Sequence, residues 1–219
     1  MVGFLSKCFS LFYHTVCQIC NEVSEADLVC KICENSFIER KHSYIKRFSE
    51  LTVYSWGLYN GTLRQGILNL KTGKKELAQY FGKRIITFWD SIPEKVNADS
   101  LLIIPVPSHY KRIWERGYCQ SVLLAKHFSK ELKFEYTDRL ITRTKLTKKM
   151  NSLECLEERI INIKDAFKVK NYNLCKKNIL IIDDILTSGS TLCELARTIK
   201  NRYEGVNLIG LTIASGDIY

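Results

Sequence analysis

Apolar residues along the chain fall into two kinds of run. Ile179 to Ile182 and Leu101 to Ile104 are apolar at every position, which predicts strands buried on both faces of a parallel sheet, since a strand with one wet face would alternate. Thr52 to Leu58, rich in β-forming residues and closed by Tyr59-Asn60-Gly61, predicts a further strand, and Val206 to Ala214 another. Between them the apolar spacing becomes that of one helix face: Leu63, Ile67 and Leu70; Leu77, Phe81, Ile85, Phe88, Trp89 and Ile92; a stretch from Gln120 to Phe134; and Leu192, Leu195, Ala196, Ile199 and Tyr203, stopped by Gly205. Strands alternating with helices predict an α/β domain built on an open, mostly parallel sheet.

Ligands of such sheets bind outside the carboxyl ends of the strands. Asp183 and Asp184 end the Ile179 strand, and Thr187-Ser188-Gly189-Ser190-Thr191 leads into the next helix. Hydroxyls, a permissive glycine, free N–H groups and the positive end of a helix dipole suit a phosphate; the plain alternative is a surface turn with a helix-capping cluster. Lys71-Thr72-Gly73-Lys74-Lys75 reads either as a solvated loop or as a second anion-binding loop whose glycine lets the backbone approach a ligand. Pro105-Val106-Pro107 stops the Leu101 strand in an extended conformation, and Lys111, Arg112, Trp114, Arg116 and Tyr118 follow on the same edge of the sheet. The run from Arg139 to Lys149, with Arg143, Lys145 and Lys148 and no acid, reads as a solvated loop, an active-site flap or an arm for a nucleic-acid strand.

The beginning of the chain is of another kind. Val2 to Val16 carries apolar residues at near-helical spacing, predicting a short amphipathic helix packed on the next element. Cys17-x₂-Cys20, nine residues and Cys30-x₂-Cys33 follow. Two such knuckles offer four thiolates to one tetrahedral Zn²⁺, and so short a segment has no core of its own without the metal; disulfides are the alternative. Four cysteines leave no open coordination position, which makes the metal structural. Phe37 to Arg47, polar and basic, reads as a linker or connecting helix. The chain thus divides into residues 1–45, an N-terminal helix and Cys₄ zinc ribbon, and residues 46–219, the α/β domain.

A length of 219 residues suffices for one such domain and a small appendage. The net charge of +10 points to an anionic partner without choosing among nucleic acid, phospholipid and phosphorylated ligands. No apolar run is long enough to span a bilayer and no leader-like segment is evident, so the expected location is the cytoplasm.

The thirteen residues from Ile179 to Thr191 resemble, position by position, the signature with which type I phosphoribosyltransferases bind phosphoribosyl pyrophosphate (PRPP). The resemblance implies that Asp183 and Asp184 hold the ribose 2- and 3-hydroxyls, directly or around Mg²⁺, and that Thr187, Ser188, Gly189, Ser190 and Thr191 cradle the 5-phosphate. With the two Cys-x₂-Cys knuckles, Leu70-Lys71 and its nearby glycine, Pro105-Val106-Pro107, Arg116-Gly117-Tyr118-x-Gln120, and Thr147, Leu153, Arg159, Asn162, Ala166 and Phe167, nearly the entire chain is similar to the ComF/GntX family. Members resemble phosphoribosyltransferases with an N-terminal zinc finger and are implicated in natural competence, moving incoming single-stranded DNA into the cytoplasm. Cys119, Met150 and Ser152 depart from the family's Asn, Gln and Gly, and the Lys71 loop is a residue shorter and lacks its aromatic. These departures bear on the pyrophosphate and acceptor sides; the ribose-phosphate side is untouched.

Three functions follow as expectations. The first is a competence protein that binds single-stranded DNA and PRPP and assists DNA internalisation. Arg112, Arg116, Lys145, Lys148 and Lys149 would then meet DNA phosphates and Trp114, Tyr118 or Tyr110 stack bases, with DNA-translocation proteins at the inner membrane as partners and a peripheral position there. The second is a phosphoribosyltransferase acting on a small base. Asp183 and Asp184 would lie near the developing positive charge, and Lys71 and Arg116 on the leaving pyrophosphate. The third is a PRPP sensor without catalysis. No segment reads as a hood over a base, which weighs against the second, and no helix-turn-helix is evident, which weighs against the third.

Overall fold

The computed structural model describes residues 15–24, 27–38, 44–92, 101–148, 155–174 and 178–216. In chain order the elements are β1 (Thr15–Val16), β2 (Val23–Ser24), α1 (Lys31–Ile38), β3 (Tyr44–Arg47), β4 (Thr52–Leu58), α2 (Gly61–Lys71), α3 (Leu77–Ser91), β5 (Leu101–Pro105), α4 (Tyr110–Arg116), α5 (Gln120–Leu132), β6 (Glu135–Tyr136), β7 (Ile141–Arg143), α6 (Leu156–Ile163), β8 (Phe167–Val169), β9 (Asn178–Leu186), α7 (Ser190–Lys200) and β10 (Asn207–Ser215). A six-stranded sheet in the order β3-β4-β10-β9-β5-β6 forms the centre. All its strands run parallel except β3, which pairs antiparallel with β4 at one edge.

The continuous apolar runs are explained by two cores. Successive side chains of a strand point to opposite faces. Leu180 and Ile182 therefore join Leu101 and Ile103 beneath Ile67, Leu70, Phe81, Ile85, Leu124 and Phe128 of α2, α3 and α5. Ile179 and Ile181 join Leu102 and Ile104 beneath Leu192, Leu195, Ala196 and Ile199 of α7. No position of β9 between 179 and 182 faces water, and each such side chain contributes about 1.5–3 kcal/mol by its burial. One polar pair sits inside the sheet: Ser55 Oγ and Thr212 Oγ1, on directly paired residues of β4 and β10, lie 2.7 Å apart and fully buried.

Four expectations are corrected. The Ile179 strand does not end at the aspartates; β9 stays paired with β10 to Leu186, whereas its pairing with β5 stops at Ile182 and Pro105. The proline-containing Pro105-Val106-Pro107 lets β5 leave the sheet, and Asp183 and Asp184 lie where it does. Tyr44–Arg47 is the edge strand β3 and not a linker or helix, and it spans positions 45 and 46, where composition divides the chain. Residues 139–149 do not form a solvated loop throughout: Ile141–Arg143 pairs antiparallel with Phe167–Val169, with Ile141 and Arg143 buried. Thr15–Val16, the end of the expected N-terminal helix, is a strand paired with Val23–Ser24; the rest of that helix lies outside the described residues.

The cysteine segment has no separate core. Cys17, Ile19, Val29 and Cys33 are buried in one cluster with Ile67, Leu70 and Phe81. Asn69 of α2 donates from Nδ2 to the carbonyls of Gln18 and Ile19 at 2.8 and 3.1 Å. Phe37 packs edge-on against Trp56, with 5.8 Å between ring centroids. Among the described residues no helix is long and apolar enough to cross a membrane.

Candidate functional site

The carboxyl ends of β4, β5 and β9 meet at the aspartate pair. Lys71, the last residue of α2, places Nζ 2.9 Å from Asp184 Oδ2. The Asp184 N–H donates to Asp183 Oδ1 at 2.9 Å. Burial, together with the neighbouring Asp184 carboxylate, pushes Asp183 up to about 7, against the opposing pull of the Asp184 N–H, Lys71 and Arg143. Burial draws the Lys71 ammonium down, but the ion pair with Asp184 outweighs it and the group is held above its ordinary value. One carboxyl of the pair is thus neutralised by a fixed cation, and the other is poised to take up a proton, a hydroxyl group or a cation.

Two residues beyond β9 the chain turns into α7. Gly189 caps this helix with φ 83°, in the left-handed region that glycine adopts without strain. The Phe48 ring lies against it so closely that a Cβ would overlap the ring. Ser188 Oγ and Ser190 Oγ are 2.8 Å apart, and the Ser190 N–H donates to Ser188 Oγ at 3.4 Å. Thr187 and Thr191 flank this pair, half-buried. The turn therefore presents hydroxyls, with the first N–H groups of an eleven-residue helix behind them, the arrangement that binds phosphate.

Lys71 is steadied from the β5 side. Tyr118 donates its hydroxyl hydrogen to the Leu70 carbonyl at 2.5 Å, and its oxygen accepts from the Gly73 N–H at 3.1 Å. Tyr118 is therefore a tether across the crevice, not a stacking platform. Trp114, 87% exposed, and Tyr110, 66% exposed, remain open to solvent on α4.

The basic residues divide between two levels. Arg112 donates from Nη2 to the Thr147 carbonyl at 2.7 Å, and Arg143 donates from Nη2 to Thr147 Oγ1 at 2.5 Å, so one threonine holds two guanidinium groups. Burial, with Arg112 next to it, lowers Arg143 to about 10, although Asp183 pulls the other way. The Phe167 ring lies 5.5 Å from the Arg143 guanidinium carbon. Arg116 donates to Gln120 Oε1 at 3.2 Å. Lys145 and Lys148 are exposed; the backbone N–H and carbonyl of Lys148 are both bonded by the Asn162 amide. Arg112 thus stands with the 145–148 segment as one basic surface, while Lys149 lies outside the described residues. Sequence reasoning listed Arg143 only as one of a basic run and gave Phe48 no role. The signal for Arg143 was the Ile-Thr-Arg alternation opposite Phe167.

The four cysteines converge beside the C-terminal half of α2, where Asn69 holds the Gln18 and Ile19 carbonyls. Cys17, Cys20, Cys30 and Cys33 place their Sγ atoms within 4.8 Å of one another. The closest pairs, Cys20 with Cys30 at 3.7 Å and Cys17 with Cys33 at 3.9 Å, match the roughly 3.8 Å edge of a tetrahedron with zinc–sulfur bonds of about 2.3 Å. Burial raises the Cys17 thiol, but backbone N–H groups of Cys20, Cys30 and Ile19 outweigh it and bring it down to about 6, while burial and the neighbouring sulfurs push Cys33 up. A thiolate that accepts backbone N–H bonds is the donor a metal requires. The set fits a four-coordinate metal such as zinc.

No protein-family model matches the chain. Competence protein F of Haemophilus influenzae is 33% identical over 100 residues, covering 45% of this chain and 43% of that protein. DNA utilization protein YhgH of Escherichia coli (strain K12) is 34% identical over 96 residues, covering 43% of this chain and 41% of that protein. The chain thus spans less than half the length of these relatives. Competence protein ComFC of Bacillus subtilis is 26% identical over 200 residues, 90% of this chain and 77% of that protein. Among solved structures, adenine phosphoribosyltransferase of Trypanosoma brucei aligns over 78% of this chain and 87% of its own at 11% identity, with a TM-score of 0.35. Fold and site together define an open-sheet α/β protein with an aspartate pair and a hydroxyl-lined turn at the carboxyl edge, and a four-cysteine cluster that could hold a metal. The chain is similar to competence proteins F and ComFC and to DNA utilization protein YhgH.

Proposed function

We propose that this protein serves competence for natural transformation: it binds single-stranded DNA and PRPP with Mg²⁺ and assists the entry of DNA into the cytoplasm, beside DNA-translocation proteins at the inner face of the membrane. One observation carries the reading, the aspartate pair with Lys71 on Asp184 at the head of the Thr187–Thr191 turn. Vicinal hydroxyls need paired acceptors, the 5-phosphate needs the turn, and Mg²⁺ between carboxylates and pyrophosphate would supply charge neutralisation. Relatives named as competence and DNA utilization proteins support the DNA part. Exposed Trp114 and Tyr110 beside Arg112, Lys145 and Lys148 have the mix of π-faces and cations that suits a single strand.

The test is calorimetric titration with PRPP and Mg²⁺. The paired Asp183→Ala and Asp184→Ala changes should abolish binding with the fold intact; unchanged affinity sinks the donor site. For DNA, anisotropy of a labelled oligonucleotide across a salt series should lose about 0.7 of slope for each phosphate contact removed. Lys145, Lys148 and Lys149 changed together to alanine should flatten it by that measure. A second reading, transfer of the phosphoribosyl group to a small base, is favoured by the Asp183 carboxyl, raised towards neutrality where the ribose would lie. Turnover of PRPP with a panel of bases separates it from the first, and PRPP binding with neither turnover nor DNA binding would leave a sensor.

A further inference from the structure

Two guanidinium groups beside each other repel, and a fold that brings them together without a carboxylate between them leaves that repulsion for a ligand to relieve. Arg112 comes from α4, after β5, and Arg143 from the end of β7. They meet at Thr147, whose carbonyl accepts from one and whose hydroxyl accepts from the other. Arg143 is only 9% exposed, and its Nε has no hydrogen-bond partner among the described residues. Among the described residues neither arginine forms an ion pair. Gln120, 3% exposed at the start of α5, gives its oxygen to Arg116 and has an equally unpartnered Nε2. Buried donors are rarely left unmatched, and buried guanidinium groups more rarely still. The antiparallel pair of β7 and β8 fixes the arrangement: the Thr144 N–H donates to the Ala166 carbonyl at 2.9 Å, and the Phe167 ring lies against the Arg143 guanidinium.

We propose that Arg112 and Arg143, held together by Thr147, form a second oxyanion site on the β5 flank of Asp183, separate from the Thr187–Thr191 turn, and that it binds a phosphate group. Guanidinium forks match the oxygen geometry of phosphate and give short, charge-assisted bonds. Lys71 approaches the aspartates from the β4 side, leaving this flank to a different phosphate from the one in the turn. The site stands on the arginine geometry alone. Its phosphate comes either from the pyrophosphate arm of the donor or from the backbone of a DNA strand, and this choice rests on the function proposed above.

The test titrates the full chain with three probes: ribose 5-phosphate, inorganic pyrophosphate with Mg²⁺, and a short oligothymidylate. Arg143→Gln and Arg112→Gln should each weaken pyrophosphate or oligothymidylate by about tenfold or more, and leave ribose 5-phosphate unchanged. The probe that weakens names the source. Thr147→Val keeps the carbonyl for Arg112 and frees Arg143, and should reproduce the Arg143→Gln loss if that variant does not fold. Folded variants with unchanged affinity for both pyrophosphate and oligothymidylate overturn the site. So does an equal fall for all three probes with a lowered melting temperature, the signature of a purely structural arginine. If the parent protein fails to bind ribose 5-phosphate while the arginine effects persist, the PRPP reading falls and the oxyanion site stands.

Discussion

The cysteine cluster and the aspartate pair both gather groups that repel one another once ionised, and they resolve the repulsion differently. At the cysteines, four sulfurs surround one point, with Cys17 and Cys33 buried among Ile19, Val29 and residues of α2 and Cys20 facing solvent. A metal there completes a shell and leaves no position for a substrate. At the aspartates, among the described residues Asp184 alone is ion-paired, and Asp183 keeps most of its burden of burial and like charge. The first arrangement converts bound metal into folding free energy. The second spends stability to hold a site ready for a ligand. α2 joins them: Asn69 grips the Gln18-Ile19 carbonyls two residues before Lys71 reaches Asp184.

The contrast breaks most visibly at the metal. One zinc per chain is expected by elemental analysis, and Cys17→Ser with Cys30→Ser should release it. Because the segment shares the main core, the loss should reach at least about 5 kcal/mol in chemical denaturation. Retention of the metal in the double variant would show that other ligands hold it. A change of intermediate size is expected at the Thr187–Thr191 turn. Gly189→Ala meets both the left-handed backbone and the Phe48 ring, and should cost about 2–4 kcal/mol. Phe48→Ala in the same chain should restore the steric part, a coupling that a double-mutant cycle measures; strict additivity would mean that the ring does not set the turn.

A third effect has the opposite sign and appears only as pH changes. Asp183 has a folded value near 7 against an ordinary 3.8, so its contribution to stability is full below about 4 and is lost as pH rises through 7. Asp183→Asn should therefore gain on the parent by up to about 4 kcal/mol as pH rises from 4 to 7, at about 1.4 kcal/mol per unit, and level off above. Melting curves across that range are the measurement. A gain that stays flat with pH would mean that the carboxyl is not strained.

The sequence disclosed what is local. Strands buried on both faces must be apolar at every position, so Ile179–Ile182 and Leu101–Ile104 announce a parallel sheet. The Thr187–Thr191 turn is contiguous, and the cysteine spacing alone brings four sulfurs within reach of one another. Residues that act through long-range pairing stayed hidden. Arg143 enters the site only because Ile141–Arg143 pairs with Phe167–Val169, more than twenty residues on. Tyr118 looked like an exposed aromatic because nothing in its neighbourhood tells of the Leu70 carbonyl. Tyr44–Arg47 was obscured by its edge position, where polar and basic residues are tolerated.

The Ser55–Thr212 hydroxyl pair bears on how faithfully the chain assembles. Parallel strands made of Ile, Leu and Val offer nearly equivalent alignments, and a slip of two residues would keep every side chain on its proper face. Here such a slip would set Ser55 opposite Gly210 or Ala214, stranding the Ser55 hydroxyl in an apolar interior at about 1–3 kcal/mol, while Thr212 would keep only the Ala214 carbonyl on its own strand. The two oxygens therefore act as a proofreading mark for alignment. Since β4 leads into the helix that carries Lys71 and β10 lies beside the strand that carries Asp184, an error they reject would otherwise have parted the ion pair at the centre of the site by about two residues of strand, some 6–7 Å.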